Sequence, residues 1–455
     1  MMKLNGVKLP HHKNTAGNAP ERIATPAQVT IPMSMHIGIP AVPVVKAGDA
    51  VKVGQLIGKA GGFVSSPVYA SVSGKVTGID NFMIASGDYV QAVTITSDGR
   101  RELFEGIAPP EVHDLESFLA AVNDSGVVGL GGAGFPTAVK LTVKDLSQIE
   151  AVIINGAECE PYVTSDTRTM LDRSDQVWAG IGLLQTYLQA KRVIIAIEKN
   201  KPQCIQIFKK LCANAPGVEV AELPSLYPQG GEKVLVYNTM GRIVPEGKLP
   251  IDVGAVVINC TTLATIAQYI QTGMPLTEKC VTVDGSAVRE PGNVIAPIGA
   301  PLSALFEHCG GFKEEPGKLI YCGPMMGIAV PNLEMPVVKN TNAVLAFNEK
   351  DACLPEPTAC IKCGNCINHC PLKLSPTEIE TAYRMKNAEK LGKLKVNLCM
   401  ECGCCSYICP AKRPLVQTNK LAKTMLRDWQ KQKEQQEKLE QERQAALERE
   451  EAAAK

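Results

Sequence analysis

At 455 residues the chain is too long for a single hydrophobic core, so three or more domains are expected. The charge is balanced, 47 Lys and Arg against 46 Asp and Glu, which gives no footing for nucleic-acid binding. No run approaches the ~18 apolar residues of a membrane helix. The longest candidate, Val253 to Ile270, is interrupted by Asn259, three threonines and Gln268.

The first residues lack an apolar core of the kind a secretory signal needs, so none is expected. The 17 cysteines are then expected to be reduced, in a cytosolic setting. Residues 1–25 are polar and histidine-bearing and are expected to wrap the surface. From Pro40 the chain reads as short β pieces punctuated by glycine. The turn Gly48-Asp49-Ala50-Val51-Lys52-Val53-Gly54-Gln55, followed by Ser73-Gly74-Lys75-Val76, resembles the barrel-sandwich fold of lipoyl and biotinyl carriers. Those carriers display a modifiable lysine on a hairpin tip. The matching stretch here, from Pro67 to Val72, has none, so the module is read as structural.

Asp114 to Val122 has helical character. Val127 and Val128 then enter Gly129-Leu130-Gly131-Gly132-Ala133-Gly134-Phe135-Pro136-Thr137. Glycines 129, 131 and 134 satisfy GxGxxG, a weak signal when only two apolar residues precede it. The loop reads either as a flexible turn or as backbone that lets a phosphate or flat ring come close. Ala151 to Asn155 is a buried strand opening into Glu158 and Glu160, two carboxylates where α/β sheets bind ligands. An amphipathic segment from Val177 to Leu188 and a second strand, Val193 to Ile197, follow. Strands alternating with helices imply a parallel α/β core. Tyr227 to Lys233 is another glycine turn entering a helix, and Ala255 to Asn259 another strand with a polar end.

Residues 277–330 change character, with turns at Asp284-Gly285 and Arg289 to Gly292, a helix from Pro301 to His308, and a closing segment from Lys318 to Gly327. This block resembles the small soluble-ligand-binding β-grasp domain. Met325 and Met326 are read as core filler.

Two copies of one cysteine pattern follow: Cys360, Cys363, Cys366 and Cys370 before Pro371, then Cys399, Cys402, Cys405 and Cys409 before Pro410. A zinc ribbon uses two CxxC pairs and leaves the third and fourth cysteine of each copy unexplained. The spacing is that of two-cluster ferredoxins, in which the fourth cysteine crosses to the other [4Fe–4S] cube. One cluster is therefore assigned to Cys360, Cys363, Cys366 and Cys409, the other to Cys399, Cys402, Cys405 and Cys370. Cys404 is surplus, packed near a cluster without ligating. Between the copies, Ser375-Pro376-Thr377-Glu378 reads as a capping box, with a helix to about Leu391 ending at Gly392. Lys386, Lys390, Lys393 and Lys395 either offset cluster charge or form a docking surface for an acidic electron carrier. Leu421, Met425 and Trp429 share a helical face. The charged remainder to Lys455 is a solvated helix or a disordered end.

The glycine loop with Lys140, Asn155 with Glu158 and Glu160, Tyr227 with Glu232, and Asn259 with its threonines together resemble the flavin- and NADH-binding subunit of respiratory complex I. That resemblance implies FMN contacts at Gly129, Gly131, Gly132, Gly134, Lys140, Asn155, Asn259 and Thr261. It implies NAD(H) contacts at Phe135, Glu158, Glu160, Tyr227 and Glu232. The family has Asp where Ala157 stands, and two consecutive acids where this chain has Gly231 and Glu232. It also has one cluster motif where this chain has two.

The order of blocks narrows the likeness to the C subunits of the Rnf family, the membrane-bound, ion-translocating ferredoxin:NAD oxidoreductases. Cobalamin reductases share the two motifs without the N-terminal arrangement, and a flavin-free iron–sulfur wire is the alternative from another class. The resemblance implies a multidomain α/β chain. Its parts are a barrel-sandwich module (1–110), a Rossmann-like FMN/NADH domain (111–265), a β-grasp domain (266–340), an α-helical double-cluster ferredoxin domain (350–422) and a charged tail (423–455). It implies FMN, NAD(H) and two [4Fe–4S] clusters, with hydride exchanged between nicotinamide and FMN and single electrons passed through the clusters. The partners implied are membrane subunits and a ferredoxin-like subunit of the same complex, with soluble ferredoxin reached indirectly and no nucleic acid. The place implied is peripheral, on the cytoplasmic face of the bacterial inner membrane.

Overall fold

The computed structural model describes residues 5–453. They form two compact units, one of residues 8–244 and 249–354, the other of residues 355–453 with 5–7 and 245–248.

The first unit opens with two small antiparallel sheets. Gln28–Pro32, Tyr89–Ser97, Gly74–Met83 and Ala50–Val51 make one, in that order; Val42–Pro43, Leu56–Lys59 and Val68–Tyr69 make the other. Alternation along the strands turns Val29, Ile31, Val76, Val93 and Ile95 inward, as a period of two requires. In the stretch that carriers use to display a lysine, Val68, Ala70 and Val72 are buried. The hydroxyls of Ser66 and Tyr69 are bonded to the carbonyls of Gly126 and Asp124. That segment is a packing surface. The described part of residues 1–25 does more than wrap: Glu21–Arg22 adds a strand to a later sheet, and Thr15 is fully buried.

A helix, Leu115–Asp124, begins where Asp114 accepts from the Ser117 N–H at 2.8 Å and Ser117 reciprocates, a reciprocal cap. Beyond it lies a four-stranded parallel sheet in the order Val218–Leu223, Val193–Glu198, Ala151–Gly156, Ala255–Asn259. Val152, Ile154, Ile195 and Ile258 face one core, with the helices Ser174–Tyr187 and Cys260–Thr272. Ala151, Ile153, Ile194 and Val257 face another, with Leu235 and Val236 of the helix Glu232–Met240. Both faces of Val193–Glu198, Ala151–Gly156 and Ala255–Asn259 are covered, so these three strands read as apolar runs, while Val218–Leu223 at the edge carries Glu219 and Glu222. The strand order reverses between Ala151–Gly156 and Ala255–Asn259, and such a switch point is where doubly wound sheets open a crevice at the strands' carboxyl ends. The stretch from Val253 to Ile270 divides between strand and helix, and no helix of the described residues is long and apolar enough to cross a membrane.

The β-grasp block is a six-stranded sheet: Glu21–Arg22, Gly292–Pro297, Glu278–Asp284, Ala343–Phe347, Lys318–Tyr321, Ile328–Val330. The helix Leu302–His308 packs on it through Leu302, Leu305 and Phe306. Ala343–Phe347 is central to this sheet, so the block runs past residue 340, and residue 265 falls inside the helix Cys260–Thr272. Met325 and Met326 are not core filler: Met326 is 46% exposed, because both lie in the turn after Lys318–Tyr321.

In the second unit the two cysteine copies repeat one backbone. Lys362 and Glu401, Gly364 and Gly403, and Lys373 and Lys412 all take positive φ at matching places. A short helix follows each triad, Asn365–Asn368 and Cys404–Tyr407. The expected single connector is two helices, Pro376–Arg384 and Ala388–Lys393. They part because Lys386 turns left-handed and the Asn387 side chain accepts from the Lys390 N–H, starting a new helix instead of continuing the old. Gly392 lies inside the second helix. Ser375 is not a cap; its hydroxyl is buried with no partner among the described residues. The helix Leu415–Ala453 is continuous, packing Ala422 and Leu426 inward while Leu421 is exposed. The charged tail is thus a solvated helix as far as it is described.

Candidate functional site

Gly129 to Pro136 forms a tight excursion closed by the Gly129 N–H on the Phe135 carbonyl, 2.9 Å, with Val128 bridged to Pro136. Pro136 then starts the helix Thr137–Leu141. A side chain at Gly131 would place its Cβ 2.4 Å from Asn259 Nδ2, and Gly134 has φ +71°. Only glycine meets both demands without strain. At Gly132 a Cβ would meet nothing within 4 Å. The N–H groups of Gly131, Ala133, Gly134 and Phe135 have no acceptor among the described residues, and the buried Thr137 hydroxyl has no partner. Free donors beside open space fit a phosphate or a flat heteroaromatic ring.

Asn155 and Asn259 sit side by side in register at the ends of the two switch-point strands. Asn155 donates to the Gly230 carbonyl at 3.0 Å and accepts from the Ala157 N–H at 3.1 Å. Asn259 caps the helix Cys260–Thr272 by accepting from Thr262 N–H, and donates to Asp166 at 2.8 Å. Thr261 donates to the other Asp166 oxygen, 2.6 Å, and Thr262 Oγ1 accepts from the Leu130 N–H, 2.9 Å. Sheet end and glycine loop are therefore one bonded body. Lys140 is paired with Glu232 at 2.7 Å and also donates to the Val257 carbonyl at 3.2 Å. Both are half-exposed.

The acidic loop splits by role. Glu158 is 6% exposed and takes the N–H groups of Asp166 and Thr167 and the Thr167 hydroxyl, capping the helix Ser165–Asp172. Burial pushes its pKa up, opposed by the Lys13 ammonium 3.8 Å away. Its oxygens hold the start of that helix. Lys13 collects the carbonyls of Glu158, Glu160 and Val163, and Lys201 that of Glu158. Glu160 accepts from the N–H groups of Met325 and Met326, 3.0 and 2.9 Å, and from the Tyr227 hydroxyl at 3.4 Å. Burial pushes its carboxyl up to about 7, against the pull of those donors. Phe135 is half-buried.

In the second unit, Cys370 lines one cavity with Cys399, Cys402 and Cys405, and Cys404 lies in the same wall, 1% exposed. Cys366, Cys405 and Cys409 pack in one cluster with Leu415 and Val416, while Cys360 and Cys363 are exposed. Eight cysteines of this spacing are a donor set that suits two iron–sulfur cubes, and Cys370 lies beside the second triad as crossed wiring requires. Sulfur acceptors are met by the N–H groups of Lys362 and Leu374, at Cys360 and Cys370, and by Asn419 Nδ2, at Cys399, 3.5 Å. Such hydrogen bonds tune cluster potentials.

Asp166, Lys13 and Lys279 escaped the sequence reading. Asp166 in the first turn of a helix is an ordinary sight, and only its pairing with Asn259 marks it.

A profile described as "Nuo51 FMN-binding domain" matches residues 122–268, and one described as "RnfC Barrel sandwich hybrid domain" matches residues 3–100. An "SLBB domain" profile matches residues 280–329, and a "4Fe-4S dicluster domain" profile residues 356–413. The C subunit of the Clostridium ljungdahlii "Proton-translocating ferredoxin:NAD(+) oxidoreductase complex" is 42% identical over 376 residues, 82% of each chain. That of the Acetobacterium woodii "Na(+)-translocating ferredoxin:NAD(+) oxidoreductase complex" is 41% identical over 386 residues, 84% of this chain and 87% of that one. That of the Rhodobacter capsulatus "Ion-translocating oxidoreductase complex" is 39% identical over 420 residues, 91% and 81%.

Proposed function

The chain belongs to the family of C subunits of the ion-translocating ferredoxin:NAD(+) oxidoreductase complexes, and from that premise we propose that it is their nicotinamide-facing electron converter. It is an oxidoreductase subunit with an FMN-binding domain and a dicluster domain. When bound, FMN supplies the exchange between a two-electron hydride and the single electrons that clusters carry.

One observation carries the reading: free loop N–H groups, the Asn155–Asn259 pair and open space at Gly132 converge on the sheet's switch point. The glycine loop would take FMN, with Lys140 offering charge to its phosphate and Asn155, Asn259 and Thr261 fixing the surrounding wall. Glu160 and Tyr227, bonded to each other at 3.4 Å, would bind and orient NAD(H). Phe135 would offer its ring face as a stacking wall, and Glu232, once parted from Lys140, a carboxylate. Glu158 would act from behind, by holding the loop's shape. Cys360, Cys363, Cys366 and Cys409 would hold one cube, and Cys399, Cys402, Cys405 and Cys370 the other. The exposed Cys360 and Cys363 favour the first cube as the port to a ferredoxin-like subunit. With no membrane-crossing helix described, the chain would attach through membrane subunits of its complex, on the cytoplasmic face.

The test is to purify the full chain with clusters intact, add FMN, and measure bound flavin and NADH-dependent dye reduction. Stoichiometric FMN with NADH activity supports the converter. Clusters without FMN binding would leave an iron–sulfur wire.

A further inference from the structure

Three side chains from the β-grasp block take carbonyls in the glycine loop and just before it. Lys339 Nζ donates to Gly126 O at 2.8 Å, Lys279 Nζ to Leu130 O at 3.0 Å, and Asn340 Nδ2 to Gly132 O at 3.0 Å. In a trans peptide the C=O of one residue and the N–H of the next point in opposite directions. Holding the Leu130 carbonyl from one side therefore turns the Gly131 N–H to the other. Holding that of Gly132 does the same for Ala133. Both N–H groups are among the loop donors left without an acceptor.

The anchor at Leu130 is chemically expensive. Lys279 is 4% exposed, and among the described residues its ammonium bonds a neutral carbonyl and makes no ion pair. Asp166, whose charge reaches Lys279, has its two oxygens on Asn259 and Thr261. A neutral amide could hold the same carbonyl without burying a charge. A buried cation that the protein leaves unpaired is better explained if an anionic ligand completes it.

We infer that Lys279 is a positioning residue of the flavin loop, which orients the Gly131 N–H through the Leu130 carbonyl and supplies a buried positive charge that the anionic cofactor offsets. The inference rests on reading the loop as the FMN site. Lys339 is the internal contrast. It is fully buried too, but divides its ammonium among Ser66 Oγ, Pro67 O and Gly126 O, and so ties modules together further from the loop's free donors.

The experiment uses the full chain with its clusters, in four forms: unmodified, Lys279→Met, Lys279→Gln and Lys339→Met. FMN affinity is read by flavin fluorescence quenching, the midpoint potential of bound FMN by spectroelectrochemistry, and integrity by cluster absorbance and thermal melting. Lys279→Met, lacking charge and donor, should weaken FMN by about ten-fold or more, the range of a charge-assisted hydrogen bond. Lys279→Gln keeps a donor, so it should recover part of the affinity while its bound FMN shows a lower midpoint potential than the unmodified chain. Lys339→Met should lower the melting temperature and leave FMN affinity within about two-fold. Should Lys279→Met fail to fold, Lys279→Gln decides the matter alone. Unchanged affinity and potential in Lys279→Gln would overturn the inference about charge. An unmodified chain that binds no FMN would instead sink the converter reading itself.

Discussion

Glu160→Gln tests the nicotinamide side of the site most directly. The carboxyl is pushed from 4.5 to about 7, so ionising it in the folded chain costs on the order of 3 kcal/mol more than in water. Burial sets that cost, and the Met325 and Met326 N–H groups and the Tyr227 hydroxyl reduce it. Near neutral pH the residue is divided between an acceptor-only carboxylate and a neutral acid. If the carboxylate receives a ligand donor, the KM for NADH should fall as pH rises through about 7. Glutamine cannot ionise, so in Glu160→Gln that inflection should vanish, with KM raised about ten-fold at pH 8 and only about two-fold at pH 6. Stability should move the other way. In the unfolded chain the group ionises near 4.5 and in the folded chain near 7, so between those values the unfolded state holds fewer protons. Stability of the unmodified chain therefore falls as pH rises across that window, and the glutamine variant lacks this slope. Steady-state kinetics and urea unfolding at matched pH values are the assays. Persistence of the same KM inflection in Glu160→Gln would show that another group titrates and that Glu160 does not meet NADH.

Gly132→Val should fold with unaltered stability, since its Cβ meets open space, yet lose FMN about ten-fold or more in a fluorescence titration; retained affinity would make the loop a plain turn. Asp166→Asn should cost about 1–3 kcal/mol in unfolding, because Asn259 and Thr261 lose a charged acceptor, and it should release FMN in proportion; normal stability would show the network to be slack. In a Cys404→Ser background, Cys370→Ala should destabilise the cube of Cys399, Cys402 and Cys405, and Cys409→Ala that of Cys360, Cys363 and Cys366, by iron counting and EPR. Loss of the same cube in Cys370→Ala and Cys363→Ala would favour two self-contained sites.

What could be read in advance followed from local chemistry. Three of the four parallel strands, Ala151–Gly156, Val193–Glu198 and Ala255–Asn259, announced themselves because both sheet faces are covered there, leaving apolar runs with no alternation to blur them, whereas the edge strand Val218–Leu223, with Glu219 and Glu222, did not. The asparagines that end two of those runs stood out against them. Helix boundaries in the connector did not, since Ser375 and Asn387 carry similar capping chemistry and only packing decides which acts. Glu158 and Glu160 looked alike in sequence and differ in fold: one meets a helix N-terminus, the other a turn of the β-grasp block.

Lys279 shows most plainly where a local reading must stop. In Thr277-Glu278-Lys279-Cys280 it looks like a solvated strand residue, yet its partner is Leu130, 149 positions earlier. The glycine loop supplies donors but cannot aim them, because glycine leaves the backbone free to turn either way. Orientation has to come from groups that hold the carbonyls, and those groups lie on Lys279 and Asn340, beyond the parallel sheet. A flavin domain cut out at residue 265 would keep every residue of the loop and lose both anchors. The loop's geometry is thus a property of two modules together, and on the proposed reading the β-grasp block would shape the flavin site through Lys279 and Asn340.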